Sequence, residues 1–106
     1  MEAIKSTDVF EQLISKPEPV LIKFFADWCP DCRRMDMFID DIINEYSQYT
    51  WYELNKDELP ELAEKYDVMG IPSLLIFQNG EKKAHLHSAH AKTPDQVIEF
   101  LDGVKL

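Results

Sequence analysis

The sequence predicts an α/β fold in which a mixed central β-sheet is flanked by helices on both faces. Three observations predict it. Val20 to Phe25 is almost continuously apolar, broken by Lys23, and reads as a strand buried on both faces. After Trp28 the apolar period changes to that of a helix, and that segment leads to a short aromatic stretch, Thr50 to Asn55. Further on, two β-rich runs are joined by Asn79-Gly80. The first two features demand a parallel, right-handed crossover, whereas the third is an antiparallel hairpin, so the sheet has to be mixed.

Taken in order, Ser6 or Thr7 can cap a helix in which Val9, Phe10, Leu13 and Ile14 recur at helical spacing, and the stretch from Lys16 to Pro19 ends it. The strand Val20 to Phe25 follows. Met35, Phe38, Ile39, Ile42, Ile43 and Tyr46 then share one helical face, with Asp36, Asp40, Asp41 and Glu45 between them. That pattern predicts one long helix from about Cys29 and a parallel strand over Thr50 to Asn55. Leu59 to Tyr66 makes a brief helix with Pro60 in its first turn. Ser73 to Phe77 and Lys82 to Ser88 are the hairpin strands. Thr93-Pro94-Asp95-Gln96 combines a capping threonine, a first-turn proline and a capping-box glutamine ahead of Val97, Ile98, Leu101 and Val104. The predicted order is αβαβαββα, with no repeat, linker or low-complexity tract.

A chain of 106 residues has room for one core, so a single domain over residues 1–106 is expected. Its 45% hydrophobic and 29% charged content is that of a globular chain. The net charge of -9 argues against nucleic acid or an anionic membrane as partner and fits a soluble monomer. No stretch from Met1 to Leu13 resembles a signal-peptide core, and no run approaches the roughly 18 apolar residues of a membrane span, so a cytoplasmic location is expected.

The chain has 2 cysteines, in Cys29-Pro30-Asp31-Cys32. That spacing is no scaffold of structural disulfides but suits a redox or metal pair. The motif sits where a buried strand gives way to a helix. Backbone N-H groups of a first helical turn stabilise an anion, so Cys29 should ionise below the usual thiol value of about 8.5, while Cys32, one turn further in, should be more buried and keep its proton. An inert pair and a metal site are competing readings. Zinc normally needs four ligands, and His85, His87 and His90 would have to complete the set from a distance unlike a compact finger. Those histidines otherwise read as the solvated face of an edge strand and its loop. No metal and no cofactor is expected.

Three ordered motifs carry a resemblance: Ala26-Asp27-Trp28-Cys29-Pro30-Asp31-Cys32, Tyr66-Asp67-Val68-Met69-Gly70-Ile71-Pro72-Ser73 and Phe77-Gln78-Asn79-Gly80-Glu81. Together they resemble the thioredoxin family over about Ser6 to Leu101, and the WCPDC sequence resembles that of cytosolic thioredoxin-related proteins. The resemblance implies a thioredoxin fold and a disulfide reductase, with Cys29 as attacking and Cys32 as resolving thiol of a redox disulfide. It implies that Trp28 shields the site and that Pro72 follows a cis peptide facing the cysteines. Such a turn leaves backbone groups of Ile71 free to pair with a substrate strand. Disulfide-containing proteins or low-molecular-weight disulfides are the implied substrates, and a thioredoxin-reductase-like flavoenzyme is an implied partner. A thioredoxin-like binding module whose cysteines no longer turn over is the alternative.

Departures from the family pattern sharpen these expectations. Asp31 brings a negative charge beside the thiols and disfavours a very acidic Cys29, pointing to a reductant. Arg33 and Arg34 either offset that charge, draw anionic substrates or are simply solvated. Met37 replaces the family's kink proline, predicting a straighter helix. Ser88 replaces the glycine that lies beside bound partners, and the loop Ala89 to Lys92 is longer by about two residues, which bears on recognition by a reductase. Lys23 stands where the family buries an aspartate, and Glu53 stands where it usually has a lysine. The sequence therefore predicts an ion pair of reversed polarity, with Glu53 as acceptor of the Cys32 proton; purely structural neutralisation, or a snorkelling Lys23, is the other reading.

Overall fold

The computed structural model describes all residues from Met1 to Leu106. Its elements are β1 (Glu2–Ala3), α1 (Thr7–Ile14), β2 (Val20–Phe25), α2 (Pro30–Asp36), α3 (Ile39–Glu45), β3 (Thr50–Asn55), α4 (Pro60–Lys65), β4 (Ser73–Gln78), β5 (Glu81–Leu86), a 3₁₀ turn at Ser88–His90, and α5 (Pro94–Gly103). Five strands form one sheet in the order β1-β3-β2-β4-β5. Strands β1, β3 and β2 run parallel, and β4 and β5 are antiparallel to their neighbours, as the crossover and hairpin signals require.

Local chemistry accounts for the element ends. Ser6 caps α1, its hydroxyl accepting from the Val9 N–H at 3.2 Å. Thr93 and Gln96 complete a reciprocal capping box on α5. Asn79 and Gly80 take φ of 54° and 82°, the left-handed pair that a two-residue hairpin turn needs. Side chains of β2 alternate between two cores. Val20, Ile22 and Phe24 pack with Phe10, Ile14, Leu62 and Phe77 on the α1/α4 face, whereas Leu21 joins Met35, Ile42, Trp51, Val97 and Leu101 on the other. The central strand is thus buried on both faces, and the active-site loop leaves its C-terminal end.

Three features differ from the sequence-based expectation. The two-residue β1 is new; it is exposed, and its parallel pairing with β3 is too short to leave a period in the sequence. The long helix is broken into α2 and α3 although Met37 is not proline. Met37 and Phe38 donate instead to the carbonyls of Arg34 and Met35, at 3.1 and 3.0 Å, and Phe38 leaves helical geometry at φ -126°. These three-residue hydrogen bonds tighten the turn and redirect the axis, so the expected straighter helix is not found. The chain also leaves β5 at Leu86, and Ser88 belongs to the 3₁₀ turn.

Candidate active site

Cys29 is the N-cap of α2, and Pro30 occupies the first turn, where a missing N–H is harmless. The Cys29 sulfur accepts the Cys32 N–H at 3.1 Å. The donor belongs to the first turn of α2, and a thiolate accepts such a bond more strongly than a thiol does. Cys29 and Cys32 form a disulfide, with Cα atoms 5.2 Å apart.

The two sulfurs were expected to differ in burial, yet the residues are 3% and 2% exposed. What separates them is a groove of about 400 Å³ whose lining includes Trp28, Cys29, Asp31, Lys56, Ile71 and Ser88 but not Cys32.

The opposite wall is Met69 to Ile71, with Pro72 and Ser73 buried behind it. Ile71-Pro72 is cis, and the Ile71 carbonyl oxygen lies 3.7 Å from the Cys29 sulfur. No backbone hydrogen bond engages the N–H or carbonyl of Ile71, which leaves both available for an extended ligand. Ser73 secures the segment through its hydroxyl, which donates to the Gly70 carbonyl at 2.6 Å. Ser88 faces Gly70 so closely that a Cβ there would stand 2.3 Å from the serine oxygen.

Trp28, 61% exposed, is held at the rim by two partners that sequence reasoning missed. Its indole N–H donates to the Asp57 carboxylate at 2.8 Å, and the Lys56 ammonium lies 5.6 Å from the ring centroid. Asp57 is itself oriented by an N–H bond to the side chain of the buried Asn55, at 2.9 Å. The signal for this cluster was the charged pair immediately after β3.

The charges below and beside the cysteines are arranged differently from expectation. Lys23 is 1% exposed, and its ammonium bonds to the carboxylate of Asp36 at the end of α2. Lys23 and Glu53 are register partners in the parallel pair β2 and β3, but no hydrogen bond or ion pair joins them. The expected Lys23–Glu53 pair is therefore corrected to Lys23–Asp36. Register brings two residues side by side along the sheet, whereas a four-carbon stem selects its own partner above the sheet, and the helix packed there presents Asp36. Asp36 follows Cys32 by one helical turn, a spacing visible in the sequence but not singled out.

Asp31 bonds to Lys92 at 2.5 Å, with Arg34 at 3.9 Å. The Lys92 hydrogen bond, aided by the positive charges of Lys92 and Arg34, holds the Asp31 carboxyl below the usual carboxylate range. Arg33 turns away and donates to the Asp27 carbonyl at 2.8 Å. His85 on β5 and His87 just beyond its end stack with ring centroids 3.8 Å apart, and no group of three or more potential ligands converges on a metal position.

The thioredoxin family model matches residues 2–102. The chain is 37% identical over 98 residues to thioredoxin from Allochromatium vinosum, covering 91% of this chain and 90% of that protein. It is 38% identical over 84 residues to the chloroplastic M-type thioredoxin of Pisum sativum, covering 78% of this chain and 49% of the relative, so it spans about half the length of that protein. Among solved structures, Plasmodium falciparum thioredoxin superposes with a TM-score of 0.80 at 28% identity, covering 93% of this chain and 97% of that one. With a Cys29–Cys32 disulfide at the head of α2, a cis proline opposite it and a mixed five-stranded sheet behind, this chain belongs to the thioredoxin family.

Proposed function

We propose that this chain is a thiol-disulfide oxidoreductase that reduces disulfides in proteins or small molecules. The observation that carries the reading is the placement of the Cys29 sulfur, at a helix cap, in a groove, beside the unpaired backbone of Ile71. In the reduced protein the Cys29 thiolate attacks one sulfur of the substrate disulfide. The other substrate sulfur leaves as a thiolate and takes a proton, and a mixed disulfide remains. Cys32 then loses its proton and attacks the Cys29 sulfur, releasing the second substrate thiol and forming the Cys29–Cys32 bond. Two electrons pass from the dithiol to the substrate.

Each surrounding group has a part in this scheme. Ile71 supplies strand-like hydrogen bonds, Pro72 shapes the wall, Trp28 covers the rim and Ser88 narrows the groove. Asp36, one helical turn beyond Cys32 and paired with Lys23, is our candidate to take the Cys32 proton, the role that the sequence suggests for Glu53. Return of the Cys29–Cys32 disulfide to the dithiol takes two electrons from a dithiol donor, of which a thioredoxin-reductase-like flavoenzyme is one class. A redox-inactive binding module is disfavoured by the ability of the two cysteines to bond. Reduction of insulin in the presence of dithiothreitol tests the activity: the native protein should accelerate precipitation of the insulin B chain and Cys29→Ser should not. No acceleration by the native protein would overturn the reading.

A further inference from the structure

The carboxylate of Asp31 sits inside the redox motif, between the two cysteines, where a lone negative charge opposes ionisation of either thiol. It is not alone. Lys92 reaches it from the loop before α5 with a 2.5 Å hydrogen bond, a contact spanning 61 residues of sequence. Lys92 is not a loose surface side chain at its root. Its N–H and that of Thr93 both donate to the Gln96 side chain, at 2.7 and 3.1 Å, and the preceding Ala91 is 1% exposed. The capping box of α5 thus fixes the base from which the ammonium extends.

We propose that Lys92 is a positioning residue of the redox centre, which acts through Asp31 by cancelling its charge and so sets the ionisation of Cys29. The inference rests on the exchange chemistry above and adds to it the residue that makes an acidic motif compatible with a reactive thiol. The other charged groups near the thiols are too distant or otherwise engaged to do this. Arg34 stands at 3.9 Å from Asp31 on the same helix, Arg33 is spent on the Asp27 carbonyl, and Lys56 lies over Trp28 across the groove. Below the helix, Lys23 is committed to Asp36. Lys92 lies outside the groove lining, so its removal leaves the substrate wall in place.

The test is the rate of iodoacetamide alkylation of the reduced full-length protein from pH 5 to 9, in Lys92→Met, Asp31→Asn, the double variant and Lys92→Arg. A pair that is partly open to water should be worth about a two- to fivefold effect. Lys92→Met should therefore slow alkylation at pH 7 by that factor and move the profile to higher pH, with the equilibrium against a dithiothreitol redox buffer tilted towards the disulfide. Asp31→Asn should move the profile to lower pH. Lys92→Arg should lie near the native curve, since it leaves Asp31 paired, and the double variant should coincide with Asp31→Asn, since without Asp31 the lysine has no charge to cancel. An unchanged Lys92→Met profile, or the same slowing with and without Asp31, would overturn the proposal. If the profiles shift as expected but the native protein fails to reduce insulin, the exchange reading falls and the electrostatic coupling stands; if insulin is reduced and Lys92→Met is native-like, the coupling alone falls.

Discussion

Two salt bridges bracket the redox helix, and they are built on opposite principles. At its start, Asp31 and Lys92 meet with side chains 36% and 39% exposed. At its end, Lys23 is 1% exposed and reaches Asp36, which is 56% exposed. The first pair sits in water's reach on both sides, so either partner can lose the other at little cost in folding, and its effect falls on the thiols. The second contains a charge that has already been taken out of water, so its integrity concerns the fold first. An ammonium at the C-terminal end of a helix also faces the negative pole of the helix dipole, which helps explain why a lysine is tolerated there. Charge near an active site is thus divided between one pair that tunes and one that supports.

The largest expected effect is at the buried end. Asp36→Asn strands the Lys23 ammonium and should destabilise the fold by about 2 kcal/mol, below the 3–5 kcal/mol of fully enclosed pairs because the Asp36 side is open to water. Lys23→Met removes the charge itself and should be neutral or stabilising by about 1 kcal/mol. Urea midpoints of the two variants check this, and similar losses in both would erase the proposed contrast. Resolution of the mixed disulfide between pH 6 and 9 should slow by about tenfold or more in Asp36→Asn if its carboxylate takes the Cys32 proton. Glu53→Gln should leave both the midpoint and the pH profile as they are.

The groove side sharpens the comparison through packing. Gly70→Ala would bring a Cβ to 2.3 Å from the Ser88 oxygen, and should destabilise by about 1 kcal/mol and impair insulin reduction. Ser88→Gly should restore most of the loss, which thermal melts of the single and double variants would reveal. No rescue would mean that the loop carrying Ser88 is not the constraint. Lys92→Met should change stability least among these, by about 0–1 kcal/mol.

A third polar group, on β5, shows the remaining way to manage burial, which is to give up the charge. Burial, with Lys82 and His87 adding to it, pushes the His85 imidazole down from 6.5 to about 4. Its ring nitrogen Nε2 is buried without a partner. Since the fold refuses a proton that the unfolded chain accepts, the His85 contribution is fully present above pH 6.5 and is lost as the pH falls towards 4. The difference in urea midpoint between the native protein and His85→Val should therefore narrow or change sign from pH 7 to pH 4.5; a constant difference would contradict the assignment.

How much of this was legible in the sequence follows from the range of the interactions. Caps, periods and turn chemistry are local, and Ser6, Val20–Phe25, Asn79-Gly80 and Thr93–Gln96 stand where the sequence predicts them. The helix break at Met37 and Phe38 has no proline or glycine to announce it and arises from two tightened hydrogen bonds. The redox pair was legible because a CxxC at a strand-to-helix turn is a local motif. Its electrostatic partners were not: Lys92 is 61 positions from Asp31, and Lys23 takes the partner offered by a packed helix in preference to its neighbour in the sheet. Asp57 and Lys56 were overlooked because their charges looked like ordinary loop composition.

The central claim is the division of labour between Cys29 in the groove and Cys32 behind it. It is tested most directly by offering a model disulfide, dithiobis(nitrobenzoate), to reduced Cys32→Ser and reduced Cys29→Ser and mapping the adducts by mass spectrometry under native conditions near neutral pH. The geometry predicts a stable mixed disulfide on Cys29 in the first variant and, at the same exposure time, little or no adduct on Cys32 in the second. Faster modification of Cys32 than of Cys29 would contradict it.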